Sequence, residues 1–376
     1  SPEEIFTEIG DEDTTILMYT AGTTGLPKGV PLSHHSFSSY LLGNVTPADP
    51  DVDETNVLTV PLYHVAGIQA MMAAIYGGRT IALMRQFEVK EWMSTVAREK
   101  ANRAMLVPTM LKRVIDDPEF ASYDLSTLKV ITYGAASMPF EVIRKAIEVF
   151  PDVMFINAFG QTETASTITM LGPEDHMFTG NETPEEKELK LHRLANSIGR
   201  PMADIEIQIW DDDGKSLPTG EIGEIVARGE RVMSGYWKDE EKTAKTLTSD
   251  GWLHTGDKGY LDDAGYIYLA GRGDDMIIRG GENISPEEVE NVISTHPKVS
   301  EVCVIGVPHP EWGQEARAVV CIRGGADCTE DEVIDYCRDN LAGFKRPRSV
   351  VFVDEIPINA AGKVERKKAR ELHGQP

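Results

Sequence analysis

Between residues 18 and 37 the chain reads MYTAGTTGLPKGVPLSHHSF, its densest set of groups able to grip an anion. Thr20, Thr23 and Thr24 bring hydroxyls, Gly22, Gly25 and Gly29 bring a pliable backbone, and Lys28 brings a positive charge. Glycines let a chain turn tightly and approach an anion, while hydroxyls and free amides donate hydrogen bonds to it. Phosphate is the ligand such a loop suits. It is not a Walker A loop, which needs Gly-Lys-Ser/Thr at its end. Pro27 precedes Lys28 and Gly29 follows it, so the magnesium-binding hydroxyl has no place. Taken alone, the stretch also reads as a glycine-rich surface turn with a solvated lysine.

Other polar stretches fall where strands end, which is where α/β sheets hold ligands. NAFGQTET (157–164) sets Thr162 and Glu163 beside Gly160. A carboxylate next to a phosphate loop can hold Mg²⁺ against phosphate oxygens. Read alone, the same residues are a capping threonine and an exposed glutamate. HTGDKGY places Asp257 in a glycine turn, a partner for ribose hydroxyls or an ordinary Asp-Gly turn. LAGRGDD carries Arg272 and two acids, or a polar linker. PINAAGKVER sets Lys363 on a glycine turn before the last helix, where by itself it reads as a solvated charge.

The elements that would position these groups follow from periodicity. From residue 14 to about 160, nearly continuous apolar runs such as TTILMYT, NVLTVPLY, RAMLVPT, LKVITYG and VMFINAFG read as strands covered on both faces. VKEWMSTVAREK and FEVIRKAIEVF carry apolar residues at helical spacing between them. The alternation predicts a mostly parallel sheet with helices on both faces. GPEDHMFTGNETPEEKELKLHRLAN lacks clear periodicity and reads as a charged surface excursion. A β-rich, barrel-like segment follows, with hairpin turns at Asp213-Gly214 and Ala264-Gly265. After residue 275 comes a smaller α+β domain, its first helix capped by Ser285 with Pro286 at the first position.

Bulk properties narrow the function. The 376 residues hold 37 Lys plus Arg against 61 Asp plus Glu, a net charge of -24. Such a chain repels nucleic acid and anionic membrane, so an anionic ligand needs a local cluster of donors. The four cysteines, Cys303, Cys321, Cys328 and Cys337, form no CxxC, and the expectation is a reduced, cytoplasmic protein without structural zinc or disulfides. The beginning SPEEIFTEIG is acidic where a secretory leader would be basic. VLTVPLYHVAGIQAMMAAIYGG (57–78) is long enough to span a bilayer, but Pro61, His64 and Gln69 interrupt it. It reads as a strand, a turn at Tyr63-His64 and a buried helix.

In order, YTAGTTGLPKG, YGAASMP, NAFGQTE, HTGD, GRGDDMIIRGGENISPEEVE and PINAAGK resemble the acyl-adenylate-forming superfamily, nearly from end to end. That superfamily includes acyl- and aryl-CoA synthetases, peptide-synthetase adenylation domains and firefly-type luciferases. The resemblance implies that Thr20, Ala21, Gly22, Thr23, Thr24, Gly25 and Lys28 wrap the β- and γ-phosphates of ATP. Gly134, Ala135 and Ala136 would lie along adenine and the acyl pocket. Asn157, Phe159, Gly160 and Gln161 would complete the nucleotide site, with Thr162 on the α-phosphate and Glu163 ligating Mg²⁺. Asp257 and Arg272 would hold the ribose. Lys363 would bridge the acid's carboxylate and the α-phosphate. Asp274 falls at the family's hinge, and Gly280 and Gly281 where it lines the pantetheine tunnel. Ala21 stands where many relatives carry Ser or Thr, which removes one hydroxyl from the loop.

The implied organisation is a large domain over 1–271 (an α/β sheet to 195, a β-rich part over 196–271), a hinge at 272–275 and a mobile domain over 276–376. Relatives carry a long segment before the phosphate loop. The expectation is therefore a fragment whose exposed surface is met by that missing region or by a second copy. PLYHVAGIQA offers no carboxylate for a substrate ammonium, and His64 falls where CoA ligases keep a gate. The reading is an ATP-dependent ligase joining a fatty, aryl or cyclic acid to CoA, using ATP and Mg²⁺. The alternatives are loading of a carrier protein's phosphopantetheine, and an inactive fragment acting as an interaction module.

Overall fold

The structure is a computed structural model and describes residues 8–20, 27–273, 275–280, 282–324, 326–338, 340–359 and 363–375, with backbone only at Arg272 and Asn283. The first strand, β1 (Thr14–Thr20), pairs antiparallel with β2 (Lys28–Ser33), setting Thr20 directly opposite Lys28. Ser33 then caps α1 (His34–Asn44) by accepting from the Ser36 N–H.

Strand and helix next alternate through β3 (Thr55–Leu58), α2 (Val65–Tyr76), β4 (Thr80–Leu83), α3 (Val89–Glu99) and β5 (Arg103–Leu106). The series continues with α4 (Pro108–Ile115), β6 (Val130–Gly134), α5 (Phe140–Val149) and β7 (Met154–Gln161). Strands β4, β3, β5, β6 and β7 run parallel, side by side. Helix α3 shows why the helices dock: Val89, Trp92, Met93 and Val96 recur at helical spacing and are all buried. Its start is capped by Glu88, and Lys100 ends it in the left-handed region at φ 50°. Trp92, Leu106, Leu111, Ile131, Ile143 and Phe155 belong to the main core.

Beyond β7 the sheet turns antiparallel through β8 (Ser166–Leu171), β9 (Ser197–Pro201), β10 (Ile205–Trp210), β11 (Gly223–Gly229), β12 (Leu253–Leu261) and β13 (Ile267–Arg272). The order is β10-β11-β12-β13-β9-β8-β7-β6-β5-β3-β4, one 11-stranded sheet. The β-rich segment thus joins the parallel strands edge to edge, because β8 and β9 pair outward from β7.

Residues 172–196, read from sequence as an excursion without periodicity, contain α6 (Pro173–His176) and α7 (Pro184–Asn196). The signal lay in Thr183, Pro184 and Glu186, which form a capping box with proline at the first position. Two of its polar residues are core. Asp175 accepts from the Tyr266 hydroxyl at 2.8 Å. His176 Nδ1 donates to the Gly172 carbonyl at 2.7 Å, so Nε2 accepts from the Tyr133 hydroxyl at 2.8 Å. After α8 (Glu240–Thr246) and β12–β13 the chain enters its last unit.

That unit is built of β14 (Ile277–Arg279), β15 (Glu282–Ile284), α9 (Pro286–Ser294), β16 (Val299–His309), β17 (Gly313–Ile322), α10 (Glu330–Tyr336), β18 (Ser349–Phe352) and α11 (Arg366–His373). Its strands form a separate five-stranded sheet. Alternation along β16 sends Val304 into a core with Ile284, Val289 and Val333, and Cys303, Ile305 and Val307 into another with Ile356 and Ala369. All four cysteines are buried free thiols. Among the described residues no helix is long and apolar enough to cross a membrane.

An ion pair between the buried Arg231, after β11, and the partly exposed Asp204, before β10, is tied to β8 through Thr167. Arg231, fully buried, donates to both oxygens of Asp204 at 2.5 and 3.1 Å and to the Thr167 carbonyl at 2.5 Å. Removing one partner of such a pair strands a charge without water, at about 3–5 kcal/mol. Asp204→Ala is expected to lower unfolding stability by that amount in urea denaturation, whereas an unchanged midpoint would show the pair to be dispensable.

Candidate active site

The ends of β1 and β2 frame the phosphate loop, whose Ala21, Gly22, Thr23, Thr24 and Gly25 lie outside the described residues. At its base, Lys28 Nζ sits 5.0 Å over the ring of Tyr236. The Tyr236 hydroxyl in turn donates to Glu163 Oε1 at 2.8 Å. Two backbone bonds hold that bridge: Trp237 N–H donates to the Gly29 carbonyl and Met233 N–H to the Glu163 carbonyl, both at 2.8 Å. Lysine, tyrosine and glutamate thus form one connected chain across residues remote in sequence. Glu163 is only 8% exposed, so the reading of an exposed glutamate does not describe it.

The turns after β6 and β7 are shaped by backbones in close approach. A Cβ on Gly134 would lie 2.1 Å from the Ala158 carbonyl oxygen, and one on Gly160 1.8 Å from that of Ser166. Only glycine fits at either place. Ala135 follows at φ 64°, and Ala165 and Ser166 stand at φ 51° and 116° directly after Thr162-Glu163-Thr164. Left-handed non-glycine residues each cost on the order of 1–3 kcal/mol and concentrate at functional sites. Here the Thr164 hydroxyl braces the turn, lying 3.0 Å from the Gln161 carbonyl and 2.8 Å from that of Ser166. Asn157 lies in β7 opposite Leu171, and the Phe159 ring packs with the apolar clusters around Ile168 and Ile198. Ala136 is half-buried in the turn after β6.

Gln161 connects this turn to the next motif, its Nε2 donating to the Thr255 carbonyl at 3.4 Å. The Thr255 hydroxyl accepts from the Asp257 N–H at 3.1 Å. Asp257 is buried and pairs across β12–β13 with the backbone of Arg272. The two candidate ribose ligands are therefore neighbours in one ladder.

The last candidates come from the small unit. Lys363 closes a tight loop, its N–H donating to Asn359 Oδ1 at 3.0 Å while its carbonyl accepts from the Asn359 N–H at 2.8 Å. Its charge is felt at His64, the residue before α2. Burial holds the His64 imidazole below its ordinary value, and the Lys363 ammonium lowers it further. Val65, next to His64, packs in the same apolar cluster as Ala165 and Tyr236. Gly280 stands elsewhere, at φ 61° between β14 and β15 with its N–H on the Trp312 carbonyl at 2.8 Å. Asp274 and Gly281 lie outside the described residues.

Sequence reasoning missed Tyr236 and Thr255. Tyr236 sits in SGYWKDEE, where nothing in spacing points to a carboxylate 73 positions away. Thr255 lay inside HTGDKGY, but only the fold turns its carbonyl toward Gln161.

A buried carboxylate linked through Tyr236 to Lys28, and a second unit carrying Lys363, are the described parts of the candidate site. An AMP-binding enzyme family model matches residues 3–237, and its C-terminal domain model matches residues 288–363. The chain belongs to this AMP-binding enzyme family, in the acyl- and aryl-CoA synthetase branch. It is 36% identical over 364 residues to the 3-[(3aS,4S,7aS)-7a-methyl-1,5-dioxo-octahydro-1H-inden-4-yl]propanoyl:CoA ligase of Rhodococcus jostii, covering 96% of this chain and 66% of that protein. It is 34% identical to a feruloyl-CoA synthase of Amycolatopsis, covering 97% and 71%. The ATP-bound crystal structure of MatB from Rhodopseudomonas palustris superposes with a TM-score of 0.83 at 31% identity, covering 97% of this chain and 69% of that one. The chain spans about two thirds of the length of these relatives.

The proximity of His64 and Lys363 can be tested without turnover. A nearby cation disfavours imidazolium, so Lys363→Met is expected to raise the His64 pKa, as read by NMR titration of the ring. An unchanged titration would place Lys363 away from His64.

Proposed function

We propose that the protein is an ATP-dependent carboxylic acid–CoA ligase, forming an acyl-AMP with release of pyrophosphate and then an acyl-CoA with release of AMP. The observation that carries the reading is the Lys28–Tyr236–Glu163 chain, with the charge of Lys363 lowering the His64 imidazole. Names of the relatives that end in CoA ligase or CoA synthase support it.

In the first half-reaction a carboxylate oxygen of the acid attacks the α-phosphorus, and the bond from that phosphorus to the bridging oxygen breaks. Two anions must approach each other, and Lys363 would neutralise the charge that develops between them. The loop from Thr20 to Lys28, including Ala21, Gly22, Thr23, Thr24 and Gly25, would hold the departing pyrophosphate. Thr162 would contact the α-phosphate, while Gly134, Ala135, Ala136, Asn157, Phe159, Gly160 and Gln161 would shape the adenine side. Asp257 and Arg272 would hold the ribose. Tyr236 bonds Glu163 through Oε1, and a single carboxylate beside hydroxyls fits an ion that keeps waters and phosphate oxygens as most of its ligands. Glu163 would hold Mg²⁺, which when bound would supply further charge neutralisation at the phosphates.

In the second half-reaction the CoA thiol attacks the acyl carbon and the carbon–oxygen bond to phosphate breaks. The acyl group is already activated and a thiol has a pKa near ~8.5, so no strong base is required. A half-buried, neutral His64 suits a gate between acyl pocket and thiol, since it brings no charge into an apolar channel. Gly280 and Gly281 would line the pantetheine path, after rotation of residues 276–376 on a hinge at 272–275 that includes Asp274. The separate sheet and cores of the small unit suit such a rotation. Buried free thiols suit a reducing cytoplasm.

The direct test is AMP release from ATP, Mg²⁺ and CoA over straight-chain, cyclic and aromatic acids. A signal that needs a phosphopantetheinylated carrier protein instead of CoA would overturn the reading. Lys363→Ala is expected to slow acyl-AMP formation by about 10²–10³-fold. It should leave thioester formation from supplied acyl-AMP nearly unchanged. Equal loss in both half-reactions would remove Lys363 from the first step alone.

A further inference from the structure

The small unit holds a second constellation that the ligase chemistry does not use. His296 follows the end of α9, Cys328 precedes the Thr329 cap of α10, and Glu332 lies in the first turn of that helix. His296 and Cys328 are buried and Glu332 is half-buried. One ligand atom from each, a ring nitrogen, a sulfur and a carboxylate oxygen, all lie within 4.8 Å of one another. Glu332 Oε1 is 3.8 Å from His296 Nε2. Tetrahedral bonds of about 2.0–2.3 Å put ligand atoms about 3.3–3.8 Å apart, so modest side-chain movement closes the set.

A cation already stands at this place. Lys298 Nζ lies 2.8 Å from Glu332 Oε1 and 2.9 Å from Oε2, and it donates to the Asp327 carbonyl at 2.7 Å. Carboxylate and carbonyl oxygens therefore converge on a positive charge beside an imidazole and a thiol. The His296 ring is held edge-on to Tyr336, with centroids 4.8 Å apart, and the Tyr336 hydroxyl is tied to Thr295 at 2.9 Å. Thiolate, imidazole and carboxylate together are a donor set for zinc rather than for magnesium or calcium.

We propose that His296, Cys328 and Glu332 bind one zinc-class divalent cation, which takes the place of the Lys298 ammonium. On binding, the Cys328 thiol releases its proton to solvent and forms the metal–sulfur bond. The His296 ring adopts the tautomer that frees Nε2, giving up the 3.3 Å contact that Nδ1 accepts from the Lys298 N–H. Lys298, still protonated, swings into water. The Asp327 carbonyl or a water completes the shell. The ion would pin the end of α9 to the start of α10.

The test is titration of the full chain with Cd²⁺, following thiolate-to-cadmium charge-transfer absorption in the ultraviolet. One saturating equivalent is expected, displaced by Zn²⁺. Cys328→Ser should abolish the band, Glu332→Gln and His296→Gln should each weaken binding at least tenfold, and Lys298→Met should tighten it. Glu332 is partly exposed, so Glu332→Gln carries the test if the buried His296 variant does not fold. A band that is absent, that survives Cys328→Ser, that is indifferent to Glu332→Gln or that Zn²⁺ does not displace would overturn the site. Unchanged affinity in Lys298→Met would overturn the displacement.

Discussion

For a chain with a net charge of -24, the polyphosphate of the proposed reaction sets an electrostatic constraint. That constraint would order the rest of the site. Its own field opposes the ligand, so positive groups and amides must be gathered locally and kept partly out of water, where their attraction is stronger. Strands β1 and β2 place Thr20 and Lys28 directly opposite each other. Lys28 lies over an aromatic face, and the same tyrosine hydrogen-bonds the buried Glu163. A cation and an anion thus share one neutral intermediary. Glu163 is positioned by that hydroxyl and largely shielded from water.

Around that chain the fold spends conformational strain. Gly134 and Gly160 mark points where two backbones are too close for any side chain, and Ala135, Ala165 and Ser166 occupy left-handed space that such residues seldom adopt. Ladder hydrogen bonds between β6, β7 and β8 and the Thr164 hydroxyl hold these turns in place. The strain is tolerable because it sits at the ends of strands whose middles are deep in the core.

The small unit answers the same constraint from the other side. It has its own sheet and cores, and it also carries the half-buried Arg366, whose guanidinium bonds Glu287, Glu290 and the Val304 carbonyl. Arg370 pairs with Asp275 at 3.0 Å, where the chain crosses between units. The charge of Lys363 lowers the His64 imidazole further than burial alone does.

The sequence by itself determined the kind of fold and offered candidates for the site. Apolar runs and helical spacing are local properties, as is the Ser285 cap, so β1, β3, β5–β7, α2, α3, α5 and the start of α9 were legible in it. Glycine-rich motifs at strand ends offered a candidate phosphate loop, Glu163, Asp257 and Lys363 as site residues. Helix α7 was also legible, in the Thr183–Glu186 capping box, but its polar outer face concealed it. Only the tertiary structure decided which of these groups meet. Tyr236 reaches Glu163, Thr255 reaches Gln161 and Lys363 reaches His64 through pairings of strands and units far apart in the chain. The physical reason is that a hydrogen bond or a Coulomb field depends on distance in space, and spacing along a chain encodes that distance only within a single element.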